Sequence, residues 1–313
     1  MALSIDQIMA ASYPAVLTAM RKPANQWSQN SLLDEFDRQK MIERKPFGST
    51  LEETLDYRRN PGGGFLATDM TTTSLTKTEV LTAASYAIGE IAIPITWSEG
   101  DETKNPTENQ KVNLVKSLVT NGIDTHDNLI EEALFSTVTN GFLGFQNVLP
   151  DNGEGTPGGI DAGTETFWRN VTGTYLDDGT DIESALTAAT ISAGKGSGSK
   201  LPITLLFGGA EPYSLYMGAL QSFQRFIDTK EADGGFKQIA HMTARFVASQ
   251  FGGTRIYGVG SKSFKLSVSS DAFRKMLDKV QVPNAVAWNR KIYSACQLVT
   301  NNKSRGFVLT QTT

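Results

Sequence analysis

Cysteine occurs once in the 313 residues and histidine only twice. The lone Cys296 excludes an intramolecular disulfide framework, so stability needs no oxidising compartment, and the thiol is expected to serve as a small buried hydrophobe. Neither His126 nor His241 has a His, Cys or Glu partner at metal-ligand spacing such as His-Glu-x-x-His, so a structural or surface role is expected for both. No run of about 18 apolar residues occurs, which excludes a transmembrane helix. The opening stretch MALSIDQIMAASYPAVLTAMRKP places Asp6 where a secretory signal carries positive charge, and Pro14 breaks its short apolar run. No signal peptide is therefore expected, and the sequons at Asn170 and Asn302 read as chance matches. Positive charge is not in excess either: 29 Lys+Arg against 33 Asp+Glu give a net charge of -4. A dedicated DNA binder needs a concentrated basic footprint to neutralise phosphates, and none is present.

What the chain does have is glycine, 29 residues dispersed among Thr, Ser and Asn, which implies many turns and long irregular connections. Its length suffices for one large domain or two intimately connected ones. Residues 1–46 hold short helical patterns but too little apolar surface for a core of their own, so this segment reads as an arm lying on something else. Residues 49–58 and 79–97 read as two strand-like segments, and Pro94 in the second marks an edge strand. Between them lie Asn60-Pro61-Gly62-Gly63-Gly64 and a Thr-rich stretch, so the pair reads as a projecting hairpin, which is marginal alone in water and needs a partner surface. Gly48 at its base and the glycines at its tip suggest a hinge.

Thr107-Glu108-Asn109-Gln110 offers a capping box, and Leu114, Val115, Leu118, Val119, Ile123, Ile130 and Leu134 then recur on one helical face. The pattern predicts a helix of roughly 30 residues, about 45 Å long at about 1.5 Å per residue. Gly122 inside it signals either a bend or close packing. Next comes GFLGFQNVLPDNGEGTPGGIDAGTETFWRN, residues 141–170, with glycine turns at its centre and Phe167-Trp168-Arg169-Asn170 at its close. Downstream, helices are expected at 181–192 and 211–227. Strands are expected at 201–207, 236–251, 255–259, 264–269, 292–300 and 306–309.

No catalytic constellation emerges. The run Gly194-Lys195-Gly196-Ser197-Gly198-Ser199-Lys200 fails the phosphate-loop spacing and precedes its strand rather than following it. Gly-x-Ser-x-Gly is absent, and the acidic groups Asp34-Glu35-Asp37 and Glu99-Asp101-Glu102 fit solvated or capping roles. Phe167-Trp168-Arg169 lacks the neighbouring basic residues of a nucleic-acid stacking platform and reads as a packed anchor. No catalytic residue, cofactor site or metal site is assigned.

The order of these segments resembles the major capsid proteins of tailed bacteriophages. The resemblance rests on Thr82-Ala83-Ala84-Ser85-Tyr86 entering the second hairpin strand, Glu99 and Asn105 before the long helix, and Gly158-Gly159-Ile160-Asp161 with Phe167-Trp168-Arg169-Asn170. Trp288 to Leu309, with Asn302-Lys303-Ser304-Arg305-Gly306, completes it. The first hairpin strand and the triple glycine depart from the usual pattern.

The resemblance implies an α+β fold with an N-terminal arm at 1–46, an extended β-hairpin loop at 47–98 and a peripheral domain with its spine helix at 99–140. An axial domain at 141–259 and return strands at 260–313 completing the peripheral domain would follow. It implies a non-enzymatic subunit that self-assembles into hexamers and pentamers of an icosahedral shell around double-stranded DNA, with a portal and a separate scaffolding protein as partners. A decoration protein would be a further partner, DNA would be contacted weakly, and the place of action would be the virion, assembled in the host cytoplasm. Subunit-interface residues are then expected at Arg58, Arg59, Lys77 and Glu79, with Gly158, Gly159, Phe167, Trp168 and Arg169 as structural turn and anchor. Some relatives crosslink through Lys and Asn, yet nothing around Lys77 favours reaction over solvation. The competing readings are a nanocompartment shell of the encapsulin type and, further off, a Gly/Thr-rich enzyme or surface-binding protein.

Overall fold

The computed structural model describes residues 4–9, 31–57, 79–104, 107–194, 202–221 and 239–313. In chain order the elements are helix α1 (Ser31–Arg38), strands β1 (Ile42–Lys45), β2 (Leu51–Asp56), β3 (Leu81–Tyr86) and β4 (Gly89–Ser98), then helices α2 (Glu99–Lys104) and α3 (Glu108–Phe135). A small hairpin of β5 (Val138–Thr139) and β6 (Phe142–Leu143) leads to α4 (Phe145–Val148), β7 (Val171–Leu176), α5 (Ile182–Ala193), β8 (Leu205–Gly208) and α6 (Ala210–Gln221). The remaining strands are β9 (Ile239–His241), β10 (Ala244–Ala248), β11 (Ile256–Val259), β12 (Phe264–Ser269), β13 (Lys275–Met276), β14 (Val280–Gln281), β15 (Ala287–Thr300) and β16 (Phe307–Thr312).

Among the described residues, two six-stranded sheets organise the fold. In the first, β15 is flanked on one side by β4 and on the other by β12, β13 and β14 in turn, while β1 runs parallel to β12. Ser294 to Thr300 of β15 is buried throughout, as expected of a strand covered on both faces. The second sheet runs β7-β16-β11-β8-β10-β9, and its central β8, Leu-Leu-Phe-Gly, is buried at every position.

Helix α3 lies across the first sheet. Gln110 Oε1 accepts the Thr107 amide at 3.5 Å, closing the capping box, and the 28-residue helix runs unbroken to Phe135. Val115, Val119 and Ile123 pack on Ile93, Ile95, Trp97 and Ile292, with Ile5, Ile8 and Met9 completing that cluster. The alternation of β4 supplies the contact, since its inward residues share one face at period two. Gly122 packs closely: a Cβ there would sit 3.2 Å from Ile292 Cδ1 and 3.3 Å from Ile95 Cδ1. Of the two alternatives the sequence left open at Gly122, close packing is the one observed.

Several expectations change in detail. The segment read as one strand over 79–97 is two, because β3 pairs β2 whereas β4 leaves for β15, where Pro94 lies on an edge as its missing donor requires. The span read as a strand at 236–251 turns at Met242 into β9 and β10, and residues before 239 lie outside the described set. The return segment 260–313 divides: β12 to β15 join the first sheet, but β16 runs beside β7 and β11 in the second. A 3₁₀ turn at Lys303–Arg305 redirects the chain there, and Phe307 and Leu309 enter the core of the second sheet. Residues 31–45, within the segment expected to be an arm, pack on the chain itself: Leu32, Leu33 and Phe36 share a core cluster with Ile130 and Leu134 of α3.

Candidate functional site

The hairpin base and the glycine-rich segment beneath it form the most specific construction in the fold. Strands β2 and β3 pair antiparallel from Leu51↔Tyr86 to Asp56↔Leu81. Leu51 and Leu55, Ala84 and Tyr86 point to one buried face, where they meet Ala162, Trp168 and Val299. The opposite face is open, and Leu81 is exposed.

Residues 150–170 supply the platform. Gly158 sits at φ 70° in the 3₁₀ turn Pro157–Gly159, and a Cβ there would come 2.7 Å from Ala84 Cβ and 3.1 Å from the Tyr86 ring. Both the left-handed backbone and the strand pressed against it require glycine. Gly159 also has positive φ, 77°, but open space around it.

Trp168 is buried and donates its Nε1–H to Pro157 O at 2.9 Å, so the ring supports the turn from below. Arg169 donates from Nε to Ala162 O and from Nη2 to Gly163 O, both at 2.9 Å, tying the intervening loop to the strand that follows. Asp161 accepts Thr164 Oγ1 and the Gly163 amide, bonds that hold its carboxyl below the usual range. Phe167 packs on Tyr57 with ring centroids 5.0 Å apart.

Two further devices hold the hairpin to the body. Tyr86 donates its hydroxyl to Thr300 O at 2.9 Å, and burial raises that phenol. An ion-pair ladder runs from Glu53 of β2 to Lys45 of β1, which is 3.5 Å from Glu43, and Glu43 pairs with Lys265 of β12 at 2.9 Å. Burial acts to raise Glu43, yet the lysines outweigh it and the carboxyl is lowered. Beneath the platform, Lys303 is inaccessible to solvent and donates from Nζ to Glu154 O at 2.7 Å. Burial pulls its ammonium down to about 8, partly opposed by Glu154.

Of the expected interface residues, Glu79 is described: it is exposed, and its carbonyl accepts the Tyr57 hydroxyl at 3.3 Å. Arg58, Arg59 and Lys77 lie outside the described residues, as do Asn105 and the run 195–200.

One chemical arrangement was not legible in the sequence. His126 Nε2 lies 2.8 Å from Ser294 Oγ, and its Nδ1 lies 2.8 Å from Asp127 Oδ1. That connectivity is the one used to activate a serine. Here Ser294 and His126 have 0% exposure, and Ser294 Oγ also accepts the Arg274 amide at 2.7 Å. Arg274 Nη2 binds Asp127 at 2.5 Å. The group is a buried structural network joining α3 to β15. No signal could have found it, since Ser294 is 168 residues from His126. His241 is likewise structural, with Tyr216 OH 2.9 Å from Nδ1, and burial lowers its imidazole. Cys296 is buried, its thiol pushed up to about 12. Among the described residues, no three His, Cys, Asp or Glu side chains gather as a metal site, and no helix is long and apolar enough to cross a membrane.

Comparison with solved structures gives matches over nearly the whole chain. The cyanophage A-1(L) capsid subunit aligns with a TM-score of 0.64 at 14% identity, covering 93% of this chain and 95% of that one. The capsid of an empty GTA particle aligns with a TM-score of 0.63 at 9% identity, covering 94% of each. The SrpI encapsulin of Synechococcus elongatus PCC 7942 aligns with a TM-score of 0.54 at 10% identity, covering 95% of this chain and 94% of that one. No protein-family profile matches the sequence, and no curated protein matches it.

Proposed function

We propose that this chain, whose mixed α+β architecture with the long helix α3 is the shell-subunit fold of tailed-phage capsids and encapsulin, is a major capsid protein. It would assemble through copies of itself into hexamers and pentamers of an icosahedral shell around double-stranded DNA. The supporting observation is that the likeness extends over 93% and 94% of the chain in two phage-type capsid subunits, as a subunit of that design requires. The geometry fits the task. A two-stranded ribbon is marginal alone, and β2–β3 is braced on one face by the platform while the other stays open to a neighbour. On this reading the first sheet with α3 is the peripheral domain and the second sheet the axial domain. Arg58, Arg59, Lys77 and Glu79 then belong to contacts between subunits.

The net charge of -4 suits a container whose wall does not grip packaged DNA. A portal, a separate scaffolding protein and a decoration protein would be its partners, in a virion assembled in the host cytoplasm. The second reading is a nanocompartment shell, favoured by the encapsulin likeness.

Size-exclusion chromatography with electron microscopy of the purified chain tests the shell: closed particles are expected, and a persistent monomer under all conditions overturns it. Nuclease-protected DNA inside particles recovered from the native host supports the capsid. A packaged enzyme without such DNA transfers the chain to the second reading.

A further inference from the structure

A fully buried carboxylate joins three parts of this chain. Glu131, on α3, has 0% exposure and accepts Ser249 Oγ at 2.6 Å and the Leu33 amide at 3.3 Å. Leu33 lies in the first turn of α1, and Ser249 directly follows β10. The rest of α1 is fastened to the second sheet. Ser31 Oγ donates to Ala248 O at 2.7 Å, and Glu35, which accepts Arg38 at 2.7 Å, lies 3.5 Å from Arg245 of β10. Gln39, just past the helix, donates to Thr204 O at 3.3 Å. Helix α1 is therefore a clip between the spine helix and the second sheet, and Glu131 is its catch on the spine side.

We propose that Glu131 is a protonation-gated latch: neutral, it holds the N-terminus of α1 to α3 and Ser249, and ionised, it loosens α1 and with it the coupling between spine helix and second sheet. A neutral acid keeps both contacts, the carbonyl oxygen accepting the Leu33 amide and the O–H donating to Ser249 Oγ. An ionised one places an unpaired charge where water cannot reach.

The groups facing it set the direction. On α1, Asp34 adds a like charge and is itself raised, first by burial and then by Asp127 and Asp37. Glu35 is engaged with Arg38 and Arg245, from α1 and β10. On α3, burial acts to raise Asp127, but His126 and Arg274 outweigh it and keep it ionised. Burial dominates at Glu131 and raises it to about 7, against the hydrogen bonds from Ser249, Leu33 and Leu32. A carboxyl raised on docking favours the docked state fully below its ordinary value near 4.5, and this preference is lost as pH rises through about 7.

The latch acts within one chain and does not depend on the shell reading. Hydrogen–deuterium exchange of the α1 amides, corrected for intrinsic exchange and referred to the centre of α3, tests it on the full chain. Protection is expected to fall about tenfold from pH 6 to 8.5, levelling off above about 7.5. In Glu131→Gln, which keeps an acceptor and a donor but cannot ionise, the profile is expected to be flat. A wild-type change under twofold overturns the latch, and so does a Glu131→Gln profile that follows the wild type. Should Glu131→Gln fail to fold, the wild-type profile decides alone: a fall that levels off near 7.5 supports the latch, and any other shape overturns it.

Discussion

Helix α3 on its sheet and the β2–β3 ribbon on its platform are both contacts in which a glycine lets a neighbouring strand approach closely. At Gly122 the helix has ordinary backbone geometry, and the space a Cβ would need is taken by the flexible ends of Ile95 and Ile292, 3.2 to 3.4 Å away. At Gly158 the backbone is left-handed, and the Cβ position is met at 2.7 Å by Ala84 Cβ and at 3.1 Å by the Tyr86 ring. The first contact is apolar and can adjust by rotamer shifts. The second is fixed by chain direction and hydrogen bonds, so the same substitution carries different costs at the two sites.

Trp168→Ala should expose the comparison most plainly, because it empties the platform from below. Loss of a fully buried indole costs about 3–5 kcal/mol, and a chemical denaturation midpoint lowered to match is the expected result. A loss under about 1 kcal/mol would mean that the platform collapses freely and is no more rigid than the spine contact. Gly158→Ala follows at about 2–3 kcal/mol, combining positive-φ strain with overpacking against Ala84 and Tyr86. Its cost should drop when Ala84→Gly is added, a coupling that a double-mutant cycle measures.

The spine region was the more legible of the two in the sequence. Thr107 and Gln110 announced the helix start and the recurrence from Leu114 to Leu134 its buried face, since capping and amphipathic period are local signals. The platform residues Gly158, Gly159 and Trp168 could be singled out by type, but their partners could not. That Gly158 faces Ala84 and that Lys303 holds Glu154 depend on pairings across 70 residues or more, which no local pattern encodes. The same holds for β1 beside β12 and for β16 in the second sheet, both nonlocal parallel pairings. The Ser294–His126–Asp127–Arg274 network and Glu131 were invisible because a buried polar residue looks, in sequence, like an exposed one.

That network qualifies the description of the spine contact as apolar, and Asp127→Asn measures by how much. The carboxyl is lowered in the fold, so its contribution is present above the ordinary value near 4 and is lost as pH falls through its lower folded value. Asp127→Asn should cost about 1–2 kcal/mol at pH 7 and approach zero at the acid end, read from denaturation midpoints across pH. An equal cost at every pH would assign the effect to packing rather than charge.

Gly122→Ala carries the smallest expected effect and tests the contrast from the other side. Alanine gains about 1 kcal/mol of helix propensity over glycine in the interior of α3. Against this stands the displacement of two isoleucine methyl groups by a few tenths of an ångström, which rotation of their terminal bonds can absorb. The two terms nearly cancel, and a net change within about 1 kcal/mol of the wild type is expected. If Gly122→Ala proves as costly as Gly158→Ala, then Ile95 and Ile292 are locked by the packing of Trp97 and Val119 around them. The spine contact would then be as rigid as the platform, and the distinction between adjustable side chains and fixed backbone would fail at this interface.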